Sequence, residues 1–378
     1  LSGATFELEG TDGRARAGWV KTARGRFATP CFMPVGTRGT VRLLSAEDLD
    51  RAGAEVVLAN TYHLMLRPGA KVVEALGGLH GFTGWQGHFL TDSGGYQVMS
   101  LPCKLDEDGV EFRSAYDGSW QRLTPEGALE VQAALSSDIA MVLDVCIALP
   151  AERDAVLEAG ERTLRWAERS VAAREAREGG GAGQLLFGIV QGGTEVDLRE
   201  RFAERLAGMG FDGFGIGGLS VGETPEETLT ALSACLWPLP SCRPRYLMGV
   251  GDPLTLLRAI ALGVDMFDCV LPTRLGRHGT ALTSSGKVAV KAGRFACDAG
   301  PIDPACGCEV CRRYSRGYLR HLFNAGEPSA GRLLSLHNLA WLFCLLKRAR
   351  EAVLAGRLGE LVEEVAATWA PAGAGPGS

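Results

Sequence analysis

Eight short apolar runs, separated by longer and mostly helix-forming stretches, set the strongest limit on what this chain can fold into. They are CFMPVG (31–36), EVVLAN (55–60), HFLT (88–91), IAMVLDV (139–145), LLFGIVQ (185–191), FGIGG (214–218), YLMGV (246–250) and MFDCV (266–270). Continuous apolar runs this short are the signature of strands buried on both faces. Parallel neighbours in a sheet need a long crossover, and helices supply it. Thr124-Pro125-Glu126 opens one such helix with a cap and a proline at its first turn, and Thr224-Pro225-Glu226-Glu227 opens another in the same way. TEVDLRERFAERLAGMG (194–210) carries an apolar stripe and stops at a glycine. The pattern predicts an α/β fold, an eight-stranded (β/α)8 TIM barrel. A doubly wound open sheet is the alternative. It is disfavoured because no GxGxxG turn joins a strand to a helix; GFGIGG (213–218) is spaced differently and reads as a strand approached closely by other backbone.

The two ends depart from this alternation. Residues 5–22 read as a hairpin turning at Asp12-Gly13. HGTALTSSGKVAVK (278–291) reads as another, followed by clustered cysteines and by helical sequence, clearest in SLHNLAWLFCLLKRAREAVLAG (335–356). The expected organisation is a barrel body with its N-terminal hairpin at 1–272 and an embedded basic zinc-binding subdomain at 273–345. A helical region packing on the barrel follows at 346–370, then a disordered tail, PAGAGPGS, at 371–378.

Charge and cysteine usage narrow the setting. The N-terminus LSGATFELEG lacks the basic start and apolar core of a signal peptide, and no apolar run is long enough for a membrane span. The 11 cysteines are odd in number and mostly scattered, which points to a reducing, cytoplasmic compartment. A net charge of −5 argues against a polyanionic partner, but the average hides an asymmetry. Residues 273–350 hold 13 Lys and Arg against 4 Asp and Glu, a net +9, and the rest of the chain carries −14. A basic third on an acidic body suits a polyanion bound at one place.

In a parallel barrel the chemistry gathers at the C-terminal ends of the strands. Those positions here are Asn60, Asp92, Asp144, Gln191, Gly218, Met248 and Asp268. Any one aspartate alone reads more simply as a turn, cap or ion-pair residue. Three on one mouth point to a site with nucleophilic, proton-transfer and substrate-reading roles to fill. Separately, Cys306-x-Cys308-x2-Cys311 and His337 on a later helix match a closed tetrahedral zinc set, structural because no position is left open. Cys297 and His321 are the alternative ligands.

These same residues resemble tRNA-guanine transglycosylase, and most closely its bacterial type. NTYHLMLRPG (60–69), TDSGGYQVMSL (91–101), FGIVQGG (187–193), GFGIGGLSVGE (213–223), YLMGVG (246–251) and MFDCVLPTR (266–274) stand in that family's order. The Cys-x-Cys-x2-Cys-x25-His spacing is similar to its zinc set, and the likeness runs from about Phe32 to about Leu345. The resemblance implies a barrel with a zinc subdomain. It implies exchange of guanine at the wobble position of GUN-anticodon tRNAs for the 7-deazaguanine preQ1, toward queuosine, with no ATP or redox cofactor. Asp268 would be the nucleophile and Asp92 the general acid/base. Asp144 would accept from the guanine N1–H and 2-amino groups, and Gln191 and the Gly218 N–H would donate to O6. Tyr96 and Met248 would sandwich the base. Ser93 would lie beside the acid/base, with Leu219 and Glu223 near the 7-substituent. Cys146 and Val221 match the pocket that admits preQ1 rather than the bulkier queuine. Arg274 and Arg277 would contact the anticodon loop, whose wobble base must be flipped out to be reached. A homodimer is the family habit.

Three other readings compete. A non-catalytic subunit of a heteromeric transglycosylase would depart from the aspartate motifs, which are intact here. A zinc-dependent barrel hydrolase would need histidines at the strand ends, where only His63 comes near. A plain RNA-binding module would gain nothing from three acids beneath an RNA.

Overall fold

The computed structural model describes residues 5–177, 183–219 and 222–370. Its centre is a closed barrel of β1 (Cys31–Gly36), β2 (Val56–Ala59), β3 (His88–Thr91), β4 (Ile139–Met141), β5 (Leu185–Val190), β6 (Gly213–Ile216), β7 (Arg245–Leu247) and β8 (Met266–Cys269). Each strand pairs in parallel with the next. β8 returns to β1, with Met266 opposite Cys31 and Asp268 opposite Met33. All eight apolar runs read in the sequence are barrel strands. Every residue of β2 to β6 is buried, which is why the runs are continuous rather than alternating. The glycines of β6 serve packing: a Cβ on Gly213 would stand 2.4 Å from the Phe187 ring of β5.

The N-terminal hairpin gains a third strand and becomes an antiparallel sheet of Phe6–Asp12, Ala15–Thr22 and Gly25–Thr29. A second such sheet, Cys103–Leu105, Val110–Arg113 and Trp120–Leu123, is inserted between β3 and β4 and was not foreseen. Its strands are three or four residues long. Its inner face packs Val110, Phe112 and Leu123 with Tyr62, Leu143 and Trp166 in a small core of its own.

After β8 come the helix Leu271–His278, the hairpin Thr280–Thr283 with Gly286–Ala289, and the helices Glu309–Arg313, Arg316–Asn324, Pro328–Leu354 and Leu358–Trp369. The Pro328–Leu354 helix binds this region together. Asn338 accepts from the Leu282 N–H at 2.9 Å and donates to the carbonyls of Pro272 at 2.9 Å and Thr280 at 3.0 Å. Farther along, Arg350 donates to the carbonyls of Gly18 (2.9 Å) and Thr29 (2.6 Å) in the N-terminal sheet. Among the described residues no helix is long and apolar enough to cross a membrane.

Candidate active site and metal cluster

Asp92 follows β3 directly. Asn60, at the end of β2, donates from Nδ2 to its Oδ2 at 2.5 Å, while the N–H groups of Thr61 and Gly94 reach Oδ1 at 2.9 and 3.1 Å. Asn60 also caps the Thr61–Leu66 helix, accepting from the His63 N–H at 3.1 Å, so one side chain both starts that helix and holds Asp92. Burial raises the Asp92 carboxyl to about 7, the nearby Asp268 charge adds to the rise, and the three donors oppose it.

Asp268 lies on β8, at the other side of the β1–β2 pair. Its Oδ1 accepts from the Tyr246 hydroxyl at 2.6 Å and the Gly249 N–H at 2.8 Å. Among the described residues no hydrogen bond reaches its Oδ2. Burial raises this carboxyl too, against the pull of those two donors. One carboxylate oxygen is thus fixed and the other is left for chemistry.

Asp144 follows β4 and is buried, as is Gln191 at the end of β5. Gln191 Nε2 donates to Asp144 Oδ2 at 2.6 Å. Burial raises Asp144 to about 6, with the Gln191 amide and the Ser93 hydroxyl pulling down. Gly218 closes the pocket with φ +64°, and a Cβ there would stand 2.3 Å from Gln191 Oε1. Cys146 sits close by; burial and then the Asp144 charge push its thiol up to about 12. Ser93 is buried and accepts from the Gly95 N–H at 3.2 Å. Leu219 is buried, Met248 is half-buried beside β6, and Tyr96 is 60% exposed on the Gly95–Met99 helix. Glu223 accepts from the Thr228 hydroxyl at 2.7 Å. Val221 lies outside the described residues.

Arg274 and Arg277 lie on the helix that follows β8; Arg274 is exposed and Arg277 half-buried. Burial, then the charges of Arg42 and Arg274, lower the Arg277 pKa, so three cations share this edge of the mouth.

Sequence reasoning missed two supports. Tyr246, within β7, reaches Asp268 as described. Arg199 is fully buried and spends its guanidinium on backbone carbonyls: Gly193 at 2.7 Å, Val190 at 3.1 Å, Gly217 at 2.8 Å and Gly218 at 3.1 Å. It clamps the ends of β5 and β6, where Gln191 and Gly218 stand. Its signal was legible: Arg199 falls on the apolar stripe of Leu198, Phe202, Ala203 and Leu206, where a charged residue needs a reason.

The metal cluster is Cys306, Cys308, Cys311 and His337, whose ligand atoms all lie within 4.8 Å of one another. His337 Nδ1 stands 3.9, 3.4 and 3.2 Å from the three sulfurs. A tetrahedral zinc site with ordinary Zn–S and Zn–N bonds has S···N edges of about 3.5 Å, so the set fits. His337 Nε2 lies 2.9 Å from the Leu282 carbonyl, which fixes the proton on Nε2 and leaves Nδ1 as a ligand. The cluster can therefore hold a metal ion. Among the described residues it is the group of this kind, and it includes neither Cys297 nor His321.

A closed parallel barrel with carboxylates on its C-terminal rim and a Cys3His cluster alongside is the layout of a barrel enzyme. Residues 11–371 match the family model described as queuine tRNA-ribosyltransferase. Among curated relatives of that name, the one from Nitratidesulfovibrio vulgaris is 52% identical over 358 residues, covering 94% of this chain and 95% of its own. Those from Cereibacter sphaeroides and Thermus thermophilus are 52% and 48% identical over 360 and 363 residues, covering 95% and 96% of this chain and 95% and 93% of their own. The chain belongs to the queuine tRNA-ribosyltransferase family, and so to the pentosyltransferases that act on tRNA.

Proposed function

We propose that the chain exchanges guanine for preQ1 at the wobble position of GUN-anticodon tRNAs (Asp, Asn, His and Tyr), by double displacement through an aspartyl-ribose intermediate. The observation that carries this is the Asp92–Asp268 pair. The two carboxylates are close enough for one charge to raise the other's pKa, and each has one oxygen fixed by backbone amides.

In this reading the unengaged Oδ2 of Asp268 attacks C1′ of the ribose. The C1′–N9 bond breaks, and its electron pair leaves with guanine. Asp92, with a pKa of about 7, is suited to give that base a proton. The incoming preQ1 loses its N9 proton to Asp92 and attacks C1′ from the vacated face, releasing Asp268 with net retention. Asp144 accepts from the N1–H and 2-amino groups of the base. The Gln191 amide turns from Asp144 toward O6, joined by the Gly218 N–H, and Tyr96 and Met248 cover the two faces. Leaving such groups unpaired would reject adenine strongly. Ser93, Cys146, Leu219, Val221 and Glu223 complete the pocket, with Val221 excluding the ring of queuine. Arg274 and Arg277 bind the anticodon loop.

The Cys3His cluster holds zinc in a structural role, stabilising the 273–345 subdomain beside the 1–272 barrel body, with 346–370 as a packing helical region. The protein works as a cytoplasmic homodimer. The test is exchange of labelled guanine into an unmodified tRNA-Tyr transcript, chased with preQ1 or with queuine. Displacement by preQ1 alone supports the reading; no exchange by folded, zinc-replete protein overturns it.

A further inference from the structure

Beside the carboxylate pocket, three loops of the barrel's C-terminal face converge on one aromatic ring. Tyr116 lies in the turn between the last two strands of the inserted sheet. The Arg38 guanidinium, in the loop after β1, stands 5.6 Å from its ring centroid, and that of Arg67, at the end of the Thr61–Leu66 helix, stands 4.8 Å away. His63 Nδ1 lies 3.0 Å from the Tyr116 hydroxyl oxygen. His63 is one turn along the helix whose first residues, Asn60 and Thr61, hold Asp92, so the cluster borders the pocket.

The charges in this cluster are unbalanced. Both arginines are exposed, and among the described residues no carboxylate pairs with either. Several other arginines, among them Arg51, Arg122, Arg153, Arg165 and Arg169, do have acidic partners. The neighbouring Asp117 turns inward to its own loop, accepting from the Ser119 N–H at 3.1 Å and hydroxyl at 2.8 Å. Burial and then the Arg38 charge lower the His63 pKa, so the imidazole orients Tyr116 without adding charge. Two cations are therefore held on one ring at the rim of the pocket with nothing negative to meet them.

We propose that Arg38, Arg67 and Tyr116 form a clamp for the phosphodiester backbone of the substrate RNA, next to the nucleotide in the pocket. The inference rests on the tRNA reading above. Guanidinium forks match phosphate oxygens in two-point contact, and the ring pre-orders them. An open rim holds a free ion poorly. An RNA already anchored in the pocket presents its phosphates there at high effective concentration.

The test is Arg38→Ala/Arg67→Ala in steady-state guanine exchange, with tRNA-Tyr and guanine varied separately and tRNA binding followed across salt concentrations. The expected result is a tRNA KM raised at least about tenfold, with kcat and the guanine KM within about twofold. The log–log salt slope should become shallower by about one to two units. Arg38→Ala alone, at an exposed loop position, should show part of the same change and guards against misfolding of the double variant. Arg38→Lys/Arg67→Lys should restore the salt slope but not the full affinity, because an ammonium lacks the fork. If the wild type exchanges guanine and the double variant keeps its tRNA KM and salt slope, the clamp is refuted while the function stands. If the wild type exchanges nothing, the function reading fails first and removes the substrate for which the clamp is argued.

Discussion

Tyr246 donates its hydroxyl to Asp268 Oδ1 at 2.6 Å, so a side chain buried in the barrel wall orients a carboxylate at the barrel rim. Tyr246→Phe leaves only the Gly249 N–H on that oxygen. Losing one hydrogen bond to a charged group corresponds to about a 10- to 100-fold fall in kcat. The acid limb of the pH–rate profile should move to higher pH, because a donor that lowers the Asp268 pKa is gone. Unchanged kcat and an unmoved limb would remove Tyr246 from the mechanism.

The proton-transfer role proposed for Asp92 predicts a falling alkaline limb near pH 7, as the acid form is lost. Asn60 opposes the burial that raises this group. Asn60→Ala should therefore shift that limb to higher pH while weakening the helix cap by about 1 kcal/mol. A limb that stays in place, or moves down, would assign it to some other group.

Asp144 gives a stability signature. Burial raises its pKa to about 6, so the folded protein holds this proton more tightly than the unfolded chain does. Its contribution is full below about pH 4, the unfolded value, and is lost as pH rises through about 6. Asp144→Asn cannot ionise. It should gain stability relative to wild type across that window, reaching roughly 3 kcal/mol by pH 8. Urea unfolding at pH 4 and pH 8 measures this, and a pH-independent difference would contradict it. The same variant should bind guanine at least about tenfold more weakly, since an amide offers one acceptor where the base presents two donors.

Gly218→Ala should damage the pocket without unfolding the barrel. The added methyl meets Gln191 Oε1 at 2.3 Å on a backbone of φ +64°. The expected outcome is a guanine KM raised about tenfold or more, with near-wild-type tRNA affinity in a filter-binding assay. Unaltered guanine affinity would mean that Gln191 does not read the base.

Cys308→Ser should release the metal and lower thermal stability together, with about one zinc per wild-type chain by elemental analysis. The loss should reach tRNA binding, because the helix bearing His337 also carries Asn338, which ties down the hairpin and the carbonyl of Pro272. A metal-free variant with wild-type melting and activity would refute the structural role.

The barrel was legible because its strands are buried on both faces and so stand out as unbroken apolar runs. The inserted sheet was not, because its strands are short and Lys104, Glu111, Arg113 and Arg122 break their apolar character. Strand-end position singled out Asp92, Asp144, Gln191 and Asp268, since a parallel barrel leaves few other places for side chains to converge. The residues that hold them were harder to see. Tyr246 looks like an ordinary aromatic strand residue, and Arg199, although its place on an apolar stripe marks it as buried, does not show in the sequence which groups it binds. Their partners are carbonyls and carboxylates on other strands, and only chain closure reveals them. The Arg38–Tyr116–Arg67 cluster is of the same kind, drawn from three loops with no shared motif.

The pairing of β8 with β1 also carries a temporal consequence. As the polypeptide emerges from the ribosome, β3 and Asp92 just after it appear long before β8 with Asp268, and the seam waits for the latter. The helix containing Arg350, which grips the N-terminal sheet, appears later still. Contacts between such distant parts of a chain form slowly. A nascent chain stalled before β8 would carry Asp92 without Asp268, the group proposed for proton transfer without the proposed nucleophile. On the proposed mechanism, competence to break a glycosidic bond in tRNA is thus withheld until β8 has been made and has met β1, beside a ribosome crowded with the very molecules the finished enzyme acts on.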